Sequence, residues 1–329
     1  MSFVSIIIPN YNNAKHLPKC IDSCIWQGKE YLKEIIVVDD FSTDDSLAVL
    51  GKLDKKYPNL IKIIKNTQKG ANNARNLGFS FSSGEYIQWL DSDDVLKSGK
   101  LRTQVDFLST HFLYEFVYSD WQNNYYKDGI YEREEVMLSK VYEDYLLELL
   151  KDNWQPCHSY LMRRNIAEKI HRKGGWNSKT IVDQDREYFT FCAIEGGRFF
   201  YVPGTFCIYN RWQDTGSTSG IDFKERLKLN IPLLYSFKDN INASSEIKDE
   251  MKKVYNKIIN TELLVSAYYN SEIEFREKIA QSSIKWSRVH WKMRMVLPFL
   301  LMKKNGRVSK RLKQLAKKAE NPAIAKAEG

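Results

Sequence analysis

Val4 to Ile8 is a run apolar but for Ser5 and closed by Pro9, the pattern of a buried strand. Leu17, Cys20, Ile21, Cys24 and Ile25 then recur at helical spacing. Ile35 to Val38 is a second apolar run and ends at Asp39-Asp40. Ser42-Thr43-Asp44-Asp45 reads as a capping box, with Ser42 as N-cap and Asp45 reaching back, and opens a helix through about Lys55. Leu60 to Ile64 predicts a third strand. Gly70 introduces a helix from about Ala71 that stops near Ser82-Ser83-Gly84, and Glu85 to Leu90 predicts a fourth strand. A helix over Lys100–Thr110 and a strand near Tyr114–Tyr118 follow.

Strand and helix alternate with short links, which implies an α/β fold with a mostly parallel sheet covered on both faces. Ligands of such sheets bind beyond the carboxyl ends of the strands. Pro9-Asn10-Tyr11, Asp39-Asp40 and Asp91-Ser92-Asp93 all fall at those ends, so three polar clusters are expected on one rim. From Asp120 to Gly220 the pattern is irregular and rich in Tyr, Trp and Asn, with helices expected over Tyr142–Lys151 and Asp185–Glu195. From Phe223 to about Ser283 the chain is polar and periodic, which predicts a helical extension.

The acidic cluster changes the picture from fold to chemistry. Asp91, Asp93 and Asp94 are three carboxylates within four residues, and like charges this close raise one another's pKa. A divalent cation, Mg²⁺ or Mn²⁺, is the simplest relief, because it takes oxygen ligands and commonly shares one or two carboxylates with substrate phosphates. Taken alone, the same residues also suit a solvated acidic turn.

Charge and cysteine usage set the surroundings. The chain has 329 residues and a net charge of +9, with the excess concentrated between Lys285 and Lys318, where no Asp or Glu occurs. Trp, Leu and Met alternate there with Lys and Arg, which suits either a helix lying on an anionic membrane or a helical region packed on protein. No nucleic-acid recognition motif accompanies that charge. Five cysteines in a long chain do not suggest a disulfide framework, and Cys20 and Cys24 are read as core residues. Met1-Ser2-Phe3 leads straight into a strand, and the longest apolar run, Met295–Met302, is too short to span a bilayer. A reducing cytosolic setting, with peripheral membrane contact as an option, is the expectation.

Val4-Ser5-Ile6-Ile7-Ile8-Pro9-Asn10-Tyr11-Asn12, Val37-Val38-Asp39-Asp40-Phe41-Ser42-Thr43-Asp44, Gly70-Ala71-Asn72-Asn73-Ala74-Arg75-Asn76-Leu77-Gly78 and Leu90-Asp91-Ser92-Asp93-Asp94 occur in that order. This resembles the family-2 glycosyltransferases with the GT-A fold, a Rossmann-like mixed, mostly parallel sheet flanked by helices. The resemblance covers about Val4 to Ser219 and implies a nucleotide-sugar half over residues 1–120, an acceptor half over 121–220 and a basic helical extension over 221–329. It implies that Pro9 and Tyr11 hold the base, that Asp40 accepts a base N–H, which favours uracil, and that Arg75 faces the diphosphate. Asn66, Lys69 and Asn73 are further candidates for that wall. Asp93 is expected to bind Mn²⁺ or Mg²⁺, with Asp91 on the ribose or a metal-bound water.

Asp183 matches the second residue of the family's Glu-Asp pair and is the expected base, with Asp185 as runner-up; Val182 replaces the usual Glu. Tyr209 to Ser219 resembles the loop that closes over the diphosphate, with Arg211 available to phosphate and Gln213 where many relatives carry His. Trp154 is expected at the acceptor wall, His158 either there, behind it as a supporting group or as a structural residue, and Arg163-Arg164 either meet an anionic acceptor or are solvated. The reading is an inverting, metal-dependent hexosyl transfer from a UDP-sugar to a glycan or lipid-linked acceptor in surface polysaccharide synthesis. A non-catalytic nucleotide- or carbohydrate-binding module and a nucleotidyltransferase are the alternatives. The latter lacks a Gly-rich basic loop after the first strand.

Overall fold

The computed structural model describes residues 3–212 and 221–269. All of Gln213–Ser219 and the whole Trp286–Lys318 segment lie outside the described residues, so the readings made on them have no structural counterpart here. The chain divides into two compact units, one through Lys248 and one from Asp249. Of the second, the helix Asp249–Tyr269 is described.

In the first unit the described residues form a nine-stranded mixed sheet. Four parallel strands make one side: β1 (Val4–Asn10), β2 (Leu32–Asp39), β3 (Ile61–Lys65) and β4 (Tyr86–Trp89), in the order β3-β2-β1-β4. The two-residue β5 (Val95–Leu96) follows in sequence but lies at the far edge. The other side contains β6 (Phe116–Lys127), β8 (Leu161–Arg163) and β9 (Phe199–Trp212). β8 runs antiparallel between β4 and β6, β9 runs parallel to β6, and β7 (Ile130–Met137) forms a hairpin with β6.

The central strands are mostly apolar because both faces are covered, and the buried polar side chains of Ser5 and Glu34 hydrogen-bond each other. Val4, Ile6 and Ile8 enter one core with Leu17, Cys20, Ile21 and Cys24 of α1 (Leu17–Ile25), whereas Ile7 enters the opposite core with Phe79 of α3 (Ala71–Ser80). The same alternation sends Ile35 and Val37 one way and Ile36 and Val38 the other. Gly78 lets α3 lie against β1: a Cβ there would stand 2.6 Å from Cγ2 of Ile7.

The sequence expectations hold for the first four strands and for α4 (Lys100–Thr110). Two need correction. The helix after β2 is α2 (Ser46–Lys56), and its N-cap is Asp45, not Ser42. Ser42 Oγ instead accepts from the Asn12 N–H and from Asn10 Nδ2, so it joins two loops and caps nothing. The Asp120–Gly220 stretch is not irregular: β6, β7, β8 and most of β9 lie there or run into it, and the strand expected near Tyr114–Tyr118 extends to Lys127. Tyr- and Asn-rich strands such as Gln122-Asn123-Asn124-Tyr125 lack the aliphatic run that marks β1. β6 crosses the expected 120/121 division without a break. The helices there are α5 (Tyr145–Leu150), α6 (Arg164–Arg172) and α7 (Gln184–Ile194), followed in the first unit by α8 (Phe223–Leu229) and α9 (Ile231–Ala243).

Candidate active site

A cleft of about 410 Å³ opens beyond the carboxyl ends of β1, β2 and β4. Pro9, Tyr11, Asp40, Arg75, Asp91, Asp93, Trp154, Asp183, Asp185 and Arg211 all border it. The three expected clusters therefore meet, as the strand-end rule requires.

The rim begins with Tyr11, whose ring is 48% exposed and has Lys69 Nζ 4.7 Å from its centroid. Asp40 is buried. It accepts the Gly70 N–H at 2.9 Å on both oxygens and Asn66 Nδ2 at 2.7 Å. Gly70 has φ 125°, a backbone region that disfavours a side chain, and this turn aims its N–H at Asp40. Asp39 is also buried, accepting Asn10 Nδ2 and the Ser42 N–H.

Arg75 sits in the first turns of α3, buried, with its guanidinium 4.5 Å from the Trp176 ring centroid. Nη2 donates to Asp91 Oδ1 at 2.6 Å; Nη1 donates to Asn72 Oδ1 at 2.8 Å and to Gln184 Oε1 at 3.0 Å. Burial opposes its charge and Asp91 more than offsets this, so Arg75 stays protonated. Sequence reasoning placed Arg75 at the cleft but missed Gln184, which carries no catalytic signature.

In the acidic cluster, burial and then the Asp91 charge push the Asp93 carboxyl up to about 6. Asp94 does a different job. It is fully buried, its Oδ1 accepts the Asn210 N–H at 2.7 Å, and Asn210 Nδ2 donates back to the Asp93 carbonyl, which ties the acidic loop to β9. His158 is fully buried with Nδ1 3.2 Å from Asp94 Oδ2 and does not border the cleft. Burial pushes it down to about 3 and pushes Asp94 up, so burial disfavours the charged form of each. The acceptor-wall expectation for His158 is thus corrected: it supports the acidic loop from beneath. Arg163 and Arg164 likewise hold backbone, donating to the carbonyls of Tyr114 and Leu108 and of Gly84 respectively.

Asp183 and Asp185 bracket the start of α7. Asp183 is the N-cap residue at φ 53°, yet its side chain caps nothing: Oδ1 accepts Arg226 Nη2 and Oδ2 accepts Asn230 Nδ2, from α8 and the turn before α9. Its side chain is 1% exposed. Asp185 Oδ2 accepts the Cys157 N–H at 2.8 Å. Burial, with Asp91 and Asp183 adding to it, pushes its carboxyl up to about 7 against the opposing pull of Arg75 and the Cys157 N–H. Arg226 and Asn230 were not foreseen, because they lie beyond the stretch that the motifs cover.

Among the described residues no three His, Cys, Asp or Glu side chains gather in a metal-binding group. Asp91 and Asp93 nevertheless fit a cation that substrate phosphates complete: both are oxygen donors, and the raised Asp93 carboxyl reports a local shortage of positive charge. No helix among the described residues is long and apolar enough to cross a membrane.

A mixed sheet of this order, with carboxylates and a guanidinium converging past the ends of its parallel strands, is a GT-A fold. The family model for glycosyl transferase family 2 matches residues 5–170, and the chain belongs to that family. The chain is 38% identical over 121 residues to the UDP-Glc:alpha-D-GlcNAc-diphosphoundecaprenol beta-1,3-glucosyltransferase WfaP of Escherichia coli, a match covering 37% of this chain and 47% of WfaP. It spans between 17% and 47% of the length of three such curated relatives. In fold it resembles S. aureus TarS 1-349 solved with UDP-GlcNAc (TM-score 0.68, 14% identity, 91% of this chain and 87% of that one). It also resembles the mannosyltransferase PcManGT of Pyrobaculum calidifontis solved with GDP-Man and Mn2+ (TM-score 0.56, 15% identity, 98% and 81%).

Proposed function

We propose that this glycosyltransferase moves a hexose from a UDP-sugar to a hydroxyl of a glycan or lipid-linked acceptor, with inversion at the anomeric carbon, in the synthesis of a surface polysaccharide. The observation that carries the reading is Asp185: a half-buried carboxyl raised to about 7, in the same cleft as Asp91 and Asp93. A general base works best with a pKa near the operating pH. Asp183, the first choice on sequence, has both oxygens occupied by Arg226 and Asn230. We therefore assign the base to Asp185.

Asp185 takes the proton from the acceptor hydroxyl as that oxygen attacks the anomeric carbon, and the nucleoside diphosphate leaves from the opposite face. One displacement turns an α-linked donor into a β-linked product, in keeping with the β linkage in the name of WfaP. Tyr11 stacks on the base, and Asp40 accepts its N–H. Arg211 at the far wall takes a phosphate oxygen, and Trp154 packs on the acceptor sugar. Asp93, with Asp91 beside it, would hold Mn²⁺ or Mg²⁺, whose charge offsets that of the departing diphosphate. UDP release from UDP-glucose and UDP-N-acetylglucosamine, assayed in Mn²⁺ with and without chelator, tests the proposal. Binding of UDP with no release from any donor would favour a non-catalytic module.

A further inference from the structure

Asp91 and Gln184 stand 93 residues apart in sequence and belong to different elements of the cleft wall, one at the acidic loop and one at the first residue of α7. A single side chain holds both. Arg75 donates to Asp91 at 2.6 Å with Nη2 and to Gln184 at 3.0 Å with Nη1, while the Trp176 ring fixes the plane of its guanidinium and Asn72 fixes its roll. Only a planar fork spans two acceptors in this way; a lysine ammonium supplies a charge without that geometry. Gln184 is the neighbour of Asp185.

We propose that Arg75 is a positioning residue that fixes Asp185 relative to the Asp91–Asp93 pair, setting the distance between proton acceptor and leaving group, rather than a ligand of the diphosphate. The inference rests on the transferase reading above and deepens it. Arg75 is buried, and three of the five N–H donors of its guanidinium already meet the protein oxygens of Asp91, Asn72 and Gln184, while Nε has no hydrogen-bond partner. Its positive charge also acts on Asp185, whose other charged or titratable neighbours are Asp91, Asp94, Asp183, Cys157, Tyr160 and Tyr209.

The test needs no acceptor, since water serves in its place. UDP release from UDP-glucose in Mn²⁺ is followed between pH 5 and 9 for the wild type, R75K, R75M and Q184A, and UDP–Mn²⁺ affinity is measured by calorimetry. R75M should lose about 100-fold in kcat, the scale of a misplaced reacting group, with UDP affinity little changed. Its acid limb should move up by about 1 pH unit as the favourable charge is lost. R75K should keep the limb in place while kcat still falls. A parallel loss of UDP affinity in R75M would make Arg75 a phosphate ligand and overturn the inference, as would a near-normal kcat. If R75M fails to fold, Q184A decides: an unchanged kcat refutes the positioning role. No UDP release by the wild type from UDP-glucose, UDP-galactose or UDP-N-acetylglucosamine is a different result. It removes the transferase reading itself.

Discussion

Asp183 and Arg226 form an ion pair in which the carboxylate is closed off and the guanidinium is not: the side chains are 1% and 33% exposed. The pair turns an acidic residue at the mouth of α7 into an anchor for α8, and it separates two aspartates that the sequence sets only two positions apart. Asp183→Asn should therefore retain most UDP release while lowering stability by about 2 kcal/mol, less than a fully buried pair because Arg226 is partly solvated. Asp185→Asn should lose 10²- to 10⁴-fold, roughly the contribution of general base catalysis, with UDP affinity intact. Turnover and melting temperature of the two variants, measured side by side, check both outcomes.

The rate should depend on pH through Asp185. The base is active when ionised, so activity should fall as pH drops below about 7, the value to which burial raises this group. Stability should run the other way. A carboxyl with a raised folded pKa binds more protons folded than unfolded, so stability declines as pH rises from about 4 towards 7. The ligand-free melting temperature should show that decline, and Asp185→Asn should flatten it.

Chelation should abolish transfer, and Mn²⁺ should restore it. Asp93→Asn should raise the Mn²⁺ concentration needed for half-maximal UDP release at least tenfold, since one of two oxygen donors loses its charge. A metal titration at saturating donor reads this directly.

Tyr11→Ala should weaken UDP binding by about 1–3 kcal/mol, the range for losing one aromatic partner of a base, with kcat at saturating donor largely preserved. Calorimetry of UDP in Mn²⁺ measures it. The ring is half exposed and holds no core contact comparable to that of Ile7, so the melting temperature should stay near that of the wild type.

Gly78→Val should cost about 1–3 kcal/mol through overpacking, because the first added carbon already lies 2.6 Å from Ile7. Denaturant unfolding of the variant tests the claim, and UDP affinity should fall only in proportion to the unfolded fraction.

The first half of the fold is legible because its strands are short apolar runs closed by polar strand ends; Val4–Ile8 and Ile35–Val38 are largely aliphatic, and Tyr86–Trp89, with two aromatics and one aliphatic, ends at the acidic cluster. The second half is not. β6 and β9 are built from Tyr, Asn, Trp and Phe, whose partial burial gives no clean alternation, and β7 is almost wholly exposed. The cleft residues near β1, β2 and β4 followed from strand-end logic together with the family motifs. The choice between Asp183 and Asp185 could not follow, since it depends on Arg226 and Asn230, some forty residues further on. Ser42 misled because Ser-Thr-Asp-Asp satisfies the spacing of a cap while the hydroxyl has a better use across the loop to Asn12.

The bond from the Asn210 N–H to Asp94 links the carboxylate loop to the strand that ends at Trp212 on the cleft wall. A displacement of that strand end would therefore reach the Asp93-Asp94 backbone directly, through the two hydrogen bonds that Asn210 makes there. By thermodynamic reciprocity, a glycan that tightens the grip on the nucleotide is itself gripped more tightly when the nucleotide is present.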